Sequence, residues 1–235
     1  MIKRLLASLL LGATVAAGCH AADFFSTEKC DRLLSIGVRA AVNTSNRTIG
    51  DKAYPGTYHH ENWGCGFDLG AVATLNIRDY IAIQPGAFFE HRTGSYTLIG
   101  AEEGQAYTVA QAGSRSTENL VIPVLALVRF NVTDDVRWNV EVGPYFSFLL
   151  GKSMKNKKVV SDGPLDFSPI FTTSPASFDF GFKIGTGLQI IDHWYVGAHY
   201  MAGCLDAWKE QSVGSYKRTF GGVTKGWVFS VGYDF

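Results

Sequence analysis

The sequence predicts an all-β chain, an eight-stranded antiparallel up-and-down transmembrane β-barrel. Three observations carry that expectation. Eight stretches alternate large apolar residues with small or polar ones at period two, so each reads as a strand with one greasy and one small or polar face. The connections alternate strictly, being long after the first, third, fifth and seventh stretch and short after the second, fourth and sixth. The charges Arg39, Asp68, Glu90, Arg92, Glu141, Asp179 and Lys183 fall on the glycine-bearing face, not on the Trp- and Phe-bearing one. A soluble barrel turns its apolar face inward, so this pattern is inside out and suits an exterior set in lipid.

Bulk composition agrees. Charged residues are 18% of the 235-residue chain, below the roughly 25% of soluble domains, while hydrophobic residues reach 46%. Beyond the N-terminus no run of ~18 apolar residues occurs, so no transmembrane helix is expected. Only a closed barrel then satisfies every backbone group in lipid. A formal net charge of +0 gives no reason to expect nucleic acid or an anionic surface as partner.

The N-terminus has Lys3 and Arg4, then a short apolar run from Leu5 to Ala17, then small residues. This reads as a signal peptide over 1–21, cleaved after Ala21, with 22–235 as the barrel domain. Val15-Ala-Ala-Gly-Cys19 also fits a lipoprotein signal with Cys19 lipidated, and both readings stay open. Cleavage after Ala21 leaves Cys30, Cys65 and Cys204, an odd number whose spacing fits no zinc pattern, so free thiols are expected.

The first strand spans Leu34 to Asn43, with Leu34, Ile36, Val38, Ala40 and Val42 on one face, and Thr44 to Asn62 reads as a loop. The second spans Trp63 to Leu75 and ends in the turn Asn76-Ile-Arg-Asp79. The third begins near Tyr80, where Ala82, Gln84, Gly86, Phe88 and Glu90 oppose the greasy face; Pro85 removes a ladder donor, and a bulge there is expected. Gly94 to Glu118 is read as a hairpin rising beyond the membrane. The fourth strand, Leu120 to Asn131, is apolar on both faces, so its phase is undetermined; Val132-Thr-Asp-Asp135 is a turn. The fifth, Val136 to Leu150, sets Trp138, Val140, Val142, Pro144, Phe146 and Phe148 against Arg137, Asn139, Glu141 and Tyr145. A lysine-bearing loop over 151–177 leads to the sixth, Phe178 to Ile190, the turn Ile191-Asp-His193 and the seventh, Trp194 to Cys204. After a loop over 205–223 the eighth strand, Gly226 to Phe235, puts Trp227, Phe229, Val231, Tyr233 and Phe235 on one face. A soluble protein rarely leaves such an edge free, whereas a closed barrel has none.

Eight strands enclose an interior just wide enough for side chains to fill, so a packed polar lumen is expected in place of an open pore. Arg39, Glu90, Arg92, Arg129, Glu141 and Lys183 are expected either to pair with one another inside or to lie hydrated near the rims. Burying any of them unpaired costs several kcal/mol.

At Ser35-Ile-Gly-Val-Arg-Ala-Ala-Val-Asn43, Ile83-Gln-Pro-Gly-Ala-Phe-Phe89, Asn119-Leu-Val-Ile-Pro-Val-Leu-Ala126, Glu141-Val-Gly-Pro-Tyr145, Phe178 to Gly187 and Gly226 to Phe235 the chain resembles the porin-family, PorT-like barrel domain of Gram-negative outer membranes. The resemblance covers nearly the whole mature chain. It implies location in the cell outer membrane, outer-membrane lipids as surroundings, and recurrent prolines such as Pro85 and Pro123. It also implies a C-terminal assembly signal at Trp227, Phe229, Val231, Tyr233 and Phe235, read transiently by the barrel assembly machinery. Some members of that family serve protein secretion.

These observations lead to a non-enzymatic, monomeric envelope barrel with long extracellular loops, acting in structure or interaction through envelope or extracellular partners. A secretion-system component and a narrow solute channel are the alternatives, with a lipid-modifying membrane enzyme behind them. Catalysis needs a nucleophile and base together. The histidines are scattered at His59, His60, His91, His193 and His199, and no Gly-x-Ser-x-Gly elbow occurs. His59-His-Glu61 is a weak metal pattern without a helix to set its spacing. No catalytic residue, metal or cofactor is therefore assigned. Asn43-Thr-Ser45 and Asn46-Arg-Thr48 match glycosylation acceptors by chance.

Overall fold

The computed structural model describes residues 24–30, 32–47, 57–100, 108–159, 175–209, 211–213, 216–218 and 222–235. The expected signal peptide over 1–21 and Cys19 lie outside the described residues. Eleven strands occur among those described: β1 Leu34–Arg47, β2 Thr57–Asn62, β3 Gly64–Arg78, β4 Ile81–Gly100, β5 Thr108–Thr133, β6 Val136–Val159, β7 Phe178–Ile190, β8 Trp194–Gly203, β9 Gln211–Val213, β10 Tyr216–Arg218 and β11 Thr224–Asp234.

Eight of them close into an antiparallel ring. The order runs β1, β3, β4, β5, β6, β7, β8, β11, and β11 returns to β1 through pairs from Gly37↔Asp234 to Arg47↔Thr224. Neighbours in the ring are neighbours in the sequence of barrel strands, which is the up-and-down topology expected. The large apolar side chains of each strand face outward: Ile36, Val38 and Val42 on β1, Phe67 and Leu69 on β3, Phe182 and Ile184 on β7, Trp227, Phe229 and Val231 on β11 are all exposed. No helix among the described residues is long and apolar enough to cross a membrane.

The two ends differ. Three tight turns, at 79–80, 134–135 and 191–193, lie at one end, here the turn end. At the other, the loop end, strands overshoot: β5 has 26 residues and β6 has 24, more than twice the roughly 9–11 that a tilted crossing needs. The overshoot of β4 and β5 is a paired hairpin reaching Gly100↔Thr108, with one register shift near Leu98. The expected hairpin over Gly94 to Glu118 thus forms, and its tip at 101–107 lies outside the described residues.

Four expectations need correction, one of them the loop read over 151–177, where β6 runs on as strand to Val159 because the overshooting β5 pairs it there. The stretch Thr44 to Asn62 is not all loop: β1 continues to Arg47, and β2 pairs with the overshoot of β4 from Thr57↔Gly100 to Asn62↔Ser95. Both segments find partners because β1 and β4 already project past the membrane span. The stretch 205–223 likewise carries the small β9–β10 hairpin. No bulge forms at Pro85. The β4–β5 register is constant from Ile81↔Val128 to Phe88↔Val121, with pairs missing only at Gly86 and Ala87. Pro85 faces Val124, and the position on β6 across from Val124 is Pro144, where pairing also lapses between Pro123↔Tyr145 and Ala126↔Val142. Prolines on three adjacent strands sit at one gap in the ladder, so the missing donors fall where pairing already lapses and the register does not shift.

β5 has its phase fixed by the structure. Val121, Pro123, Leu125, Leu127 and Arg129 point inward, so the lumen is mixed and not uniformly polar. One internal apolar cluster joins Ala41, Val121, Tyr145, Met201 and Val228 with Phe88; a second joins Ala82, Leu125 and Leu127.

Residues 24–30, 32 and 33, for which no strand or turn was expected, lie against the turn end. Asn131 N donates to Phe24 O, Asp79 N to Glu28 O and Asn76 N to Leu33 O. Phe24 stacks on Phe130 at 5.2 Å and Phe25 packs on Tyr80 at 4.6 Å. These rings join an aromatic belt with Trp138, Trp194 and Tyr233 at the turn end, and Phe148, Phe178, Tyr200 and Trp227 form another toward the loop end. Two such belts at membrane boundaries are the expected dress of an outer-membrane barrel.

Candidate functional site

The lumen is where polar side chains from the ring strands converge. Alternation sends one face of each strand inward, and the glycines on that face leave room for long side chains from neighbours. Tyr195 shows how. A Cβ on Gly187 would meet its ring at 2.5 Å, and one on Gly197 would overlap its hydroxyl. The ring therefore lies flat across the lumen over two glycines.

The polar groups form layers. Nearest the turn end, Arg39 pairs with Asp234 at 2.8 Å and sits over the Tyr195 ring at 4.3 Å. In the same layer Arg129 Nη1 donates to Asn76 Oδ1 at 2.6 Å, and Gln84 Nε2 to Thr74 at 2.8 Å. Above them Glu141 accepts from Tyr195 Oη at 2.9 Å and from His199 Nε2 at 2.7 Å. Further up, Arg92 donates to Glu90, whose other oxygen accepts from Asn119 at 3.2 Å. Asn43 Nδ2 donates to Asp68 Oδ1 at 2.6 Å, so the sequon asparagine is buried in the lumen. Tyr145, fully buried, donates to Asp179 at 3.2 Å. At the loop end the Arg115 guanidinium lies 4.1 Å from the Trp208 ring and 5.3 Å from that of Tyr96, and Trp208 is only 3% exposed.

Of the six charges expected in the lumen, Arg39, Glu90, Arg92, Arg129 and Glu141 are buried inside. Their pairing differs from the expectation. Only Glu90 and Arg92 pair with each other; Arg39 takes Asp234, Arg129 takes the neutral Asn76, and Glu141 takes His199 and Tyr195. Lys183 is inward and lies 5.6 Å above the Phe88 ring. It lines a void of about 20 Å³ with Asp68, Glu141 and His199, room for one water. The reason is height: two charges on the inward face meet only if they also share a level along the axis, which sequence alternation does not encode. Asp234, His199, Tyr195 and Asn76 were missed as partners, although the first three lie in the inward phase of their strands.

Of the proposed assembly-signal residues, Trp227, Phe229, Val231 and Phe235 are exposed on the outer face, and Tyr233 shares that face, stacked on His193. Cys30, Cys65 and Cys204 are free thiols. Among the described residues no group of His, Cys, Asp or Glu could hold a metal ion. The backbone of His59, His60 and Glu61 is strand β2, and their side chains lie outside what is described.

Below the Arg39 layer the lumen widens into a chamber of about 430 Å³ at the turn end. Glu28, Lys29, Cys30, Arg32 and the turn at Asp192 and His193 form its rim, and Arg39, Arg129, Asn139 and Asp234 its inner wall.

An eight-stranded antiparallel ring with an apolar exterior, two aromatic belts and a charge-filled interior is the outer-membrane kind of barrel. The chain belongs to the outer membrane protein β-barrel domain family, whose model matches residues 21–206. It is a protein of the cell outer membrane. No curated protein matches the chain. Among solved structures it is similar to the outer membrane protein OprG of Pseudomonas aeruginosa, at 10% identity and a TM-score of 0.48, over 89% of this chain and 99% of that one. It is similar also to Ail, the attachment invasion locus protein of Yersinia pestis, at 14% identity and a TM-score of 0.38, over 86% and 97%. A third is the N-terminal β-barrel domain of Pseudomonas aeruginosa OprF, at 10% identity and a TM-score of 0.30, over 85% and 97%.

Proposed function

We propose that this is a non-enzymatic, monomeric barrel whose lumen is a closed anchor and whose loop-end arms make the protein's contacts with the cell's surroundings or with other envelope proteins. The observation that carries this reading is the contrast between the two parts. The lumen is crossed by the Tyr195–Glu141–His199 layer and the Glu90–Arg92 layer, all buried, while β4, β5 and β6 spend many residues beyond any crossing. In this reading residues 1–21 direct export, the turn end faces the periplasm and the loop end faces outward. The aromatic face ending at Phe235 engages the assembly machinery during insertion.

Two measurements test it. Folded protein from the outer-membrane fraction should shift in apparent mass on boiling, and protease added to intact cells should cut within the arms. Arms untouched from outside would overturn the orientation. In a planar bilayer the purified barrel should give no conductance steps; regular steps would favour the solute-channel reading. The PorT-like resemblance favours a second reading, a part in protein secretion. A deletion strain that retains secreted proteins in its periplasm would support it.

A further inference from the structure

At the loop end the arms make a small sheet of their own. Its order is β2, β4, β5, β6, through the pairs Thr57↔Gly100 to Asn62↔Ser95, Gly94↔Arg115 to Gly100↔Thr108, and Gln111↔Val159 to Glu118↔Gly151. The ring is closed, but this sheet is open. β6 pairs with β7 only as far as Phe148↔Phe178, with one further backbone bond from Leu149 N to Ser177 O. From 151 to 159, β6 has β5 on one side and, among the described residues, no strand on the other.

An open strand presents a row of N–H and C=O groups to which another chain can pair. Charge selects that chain. Residues 151–159 hold Lys152, Lys155, Lys157 and Lys158 and no acid, in a chain whose net charge is +0. The facing stretch of β5 adds Arg115 and a single acid, Glu118. Lys152 and Lys155 are exposed. Lysines on an edge oppose a basic strand, and a second copy would bring the same lysines against them. An extended acidic segment instead meets complementary charge and gains ladder bonds together. A phosphate group would meet the lysines but leave the backbone row unused. We propose that residues 151–159 of β6 are a docking edge for an extended acidic segment of another protein, which joins the arm sheet as a strand. The proposal names the class of partner for the arms and rests on the reading that they make the protein's contacts.

The test uses the full barrel in detergent, where orientation in the cell plays no part. A labelled peptide of alternating Glu and Val, about ten residues long, should bind saturably by fluorescence anisotropy and more weakly as salt rises. Its binding should slow amide hydrogen exchange at 153–159. The same peptide methylated at every backbone nitrogen should bind at least about tenfold more weakly, because it cannot donate to the ladder. The combined variant Lys152→Glu, Lys155→Glu, Lys157→Glu, Lys158→Glu should lose the acidic peptide and gain an alternating Lys–Val peptide, while the boiling-dependent mass shift persists. That gain separates reversed charge from a misfolded arm. Amides at 153–159 already protected in the free barrel overturn the open edge. Equal binding of the methylated peptide, or of polyphosphate, overturns strand addition in favour of charge alone. No saturable binding up to about 1 mM peptide overturns the site. If protease still cuts the arms on intact cells, that last failure leaves the proposed function standing; uncut arms overturn its orientation whatever the peptide does.

Discussion

Glu141 accepts from two buried donors. Glu141→Ala would take the carboxylate acceptor from both Tyr195 Oη and His199 Nε2 inside a packed lumen. The expected cost is about 2–4 kcal/mol, with about 1 kcal/mol for Tyr195→Phe. The urea midpoint of tryptophan fluorescence in detergent micelles reads both, and identical midpoints for the three proteins would show that water replaces these bonds freely. Arg39→Ala strands Asp234 in the same way and should lower stability by about 3–5 kcal/mol, whereas Arg39→Met combined with Asp234→Leu should recover much of it. The inward face of these residues was legible in the sequence, because each charge falls out of phase with the Trp and Phe of its strand. The partners were not. Arg39 and Asp234 are 195 positions apart, and nothing in alternation says that they meet.

At the scale of the element, the turn between β7 and β8 is built from residues ill suited to it. Ile191 has φ of 51° and Asp192 of 59°, and a β-branched residue in the left-handed region is strained. Ile191→Asn should raise stability by about 1 kcal/mol, since asparagine tolerates that conformation; a lower urea midpoint would show that the isoleucine side chain contributes more than its backbone costs. The arms are expected to be dispensable for the fold. Deleting 98–111 removes none of the lumen layers, so the boiling-dependent shift should survive. Element boundaries were legible inside the membrane span, where lipid outside and polar groups inside give contrast. They blurred in two places. β5 presents Val121, Leu125 and Leu127 to the lumen and apolar residues to lipid, so it has no contrast to read. In the overshoot of β4, Gly94, Ser95 and Thr97 supply no large apolar residue to mark one face.

For the molecule as a whole, the inside-out arrangement makes a directional prediction. Val231, exposed at mid-strand between Ala40 and Val196, should tolerate Ile but lose about 2–4 kcal/mol as Arg in a bilayer. Urea titration in lipid vesicles checks it, and no loss would mean that this face is not in lipid. The up-and-down ring was legible because long and short connections alternate. The cover over the turn end was not, because residues 24–33 have neither strand periodicity nor a recognised turn pattern. Arg39 and Asp234 belong to the first and last strands of the ring, so their ion pair lies across the seam where β1 meets β11. A sheet that has entered lipid but not yet curled round holds the two charges at opposite free margins, each without its mate. Joining the margins satisfies the backbone ladder and the pair together. Arg39→Met should therefore lengthen the life of the unsealed form during refolding, seen as a slower rise of the fast-migrating band.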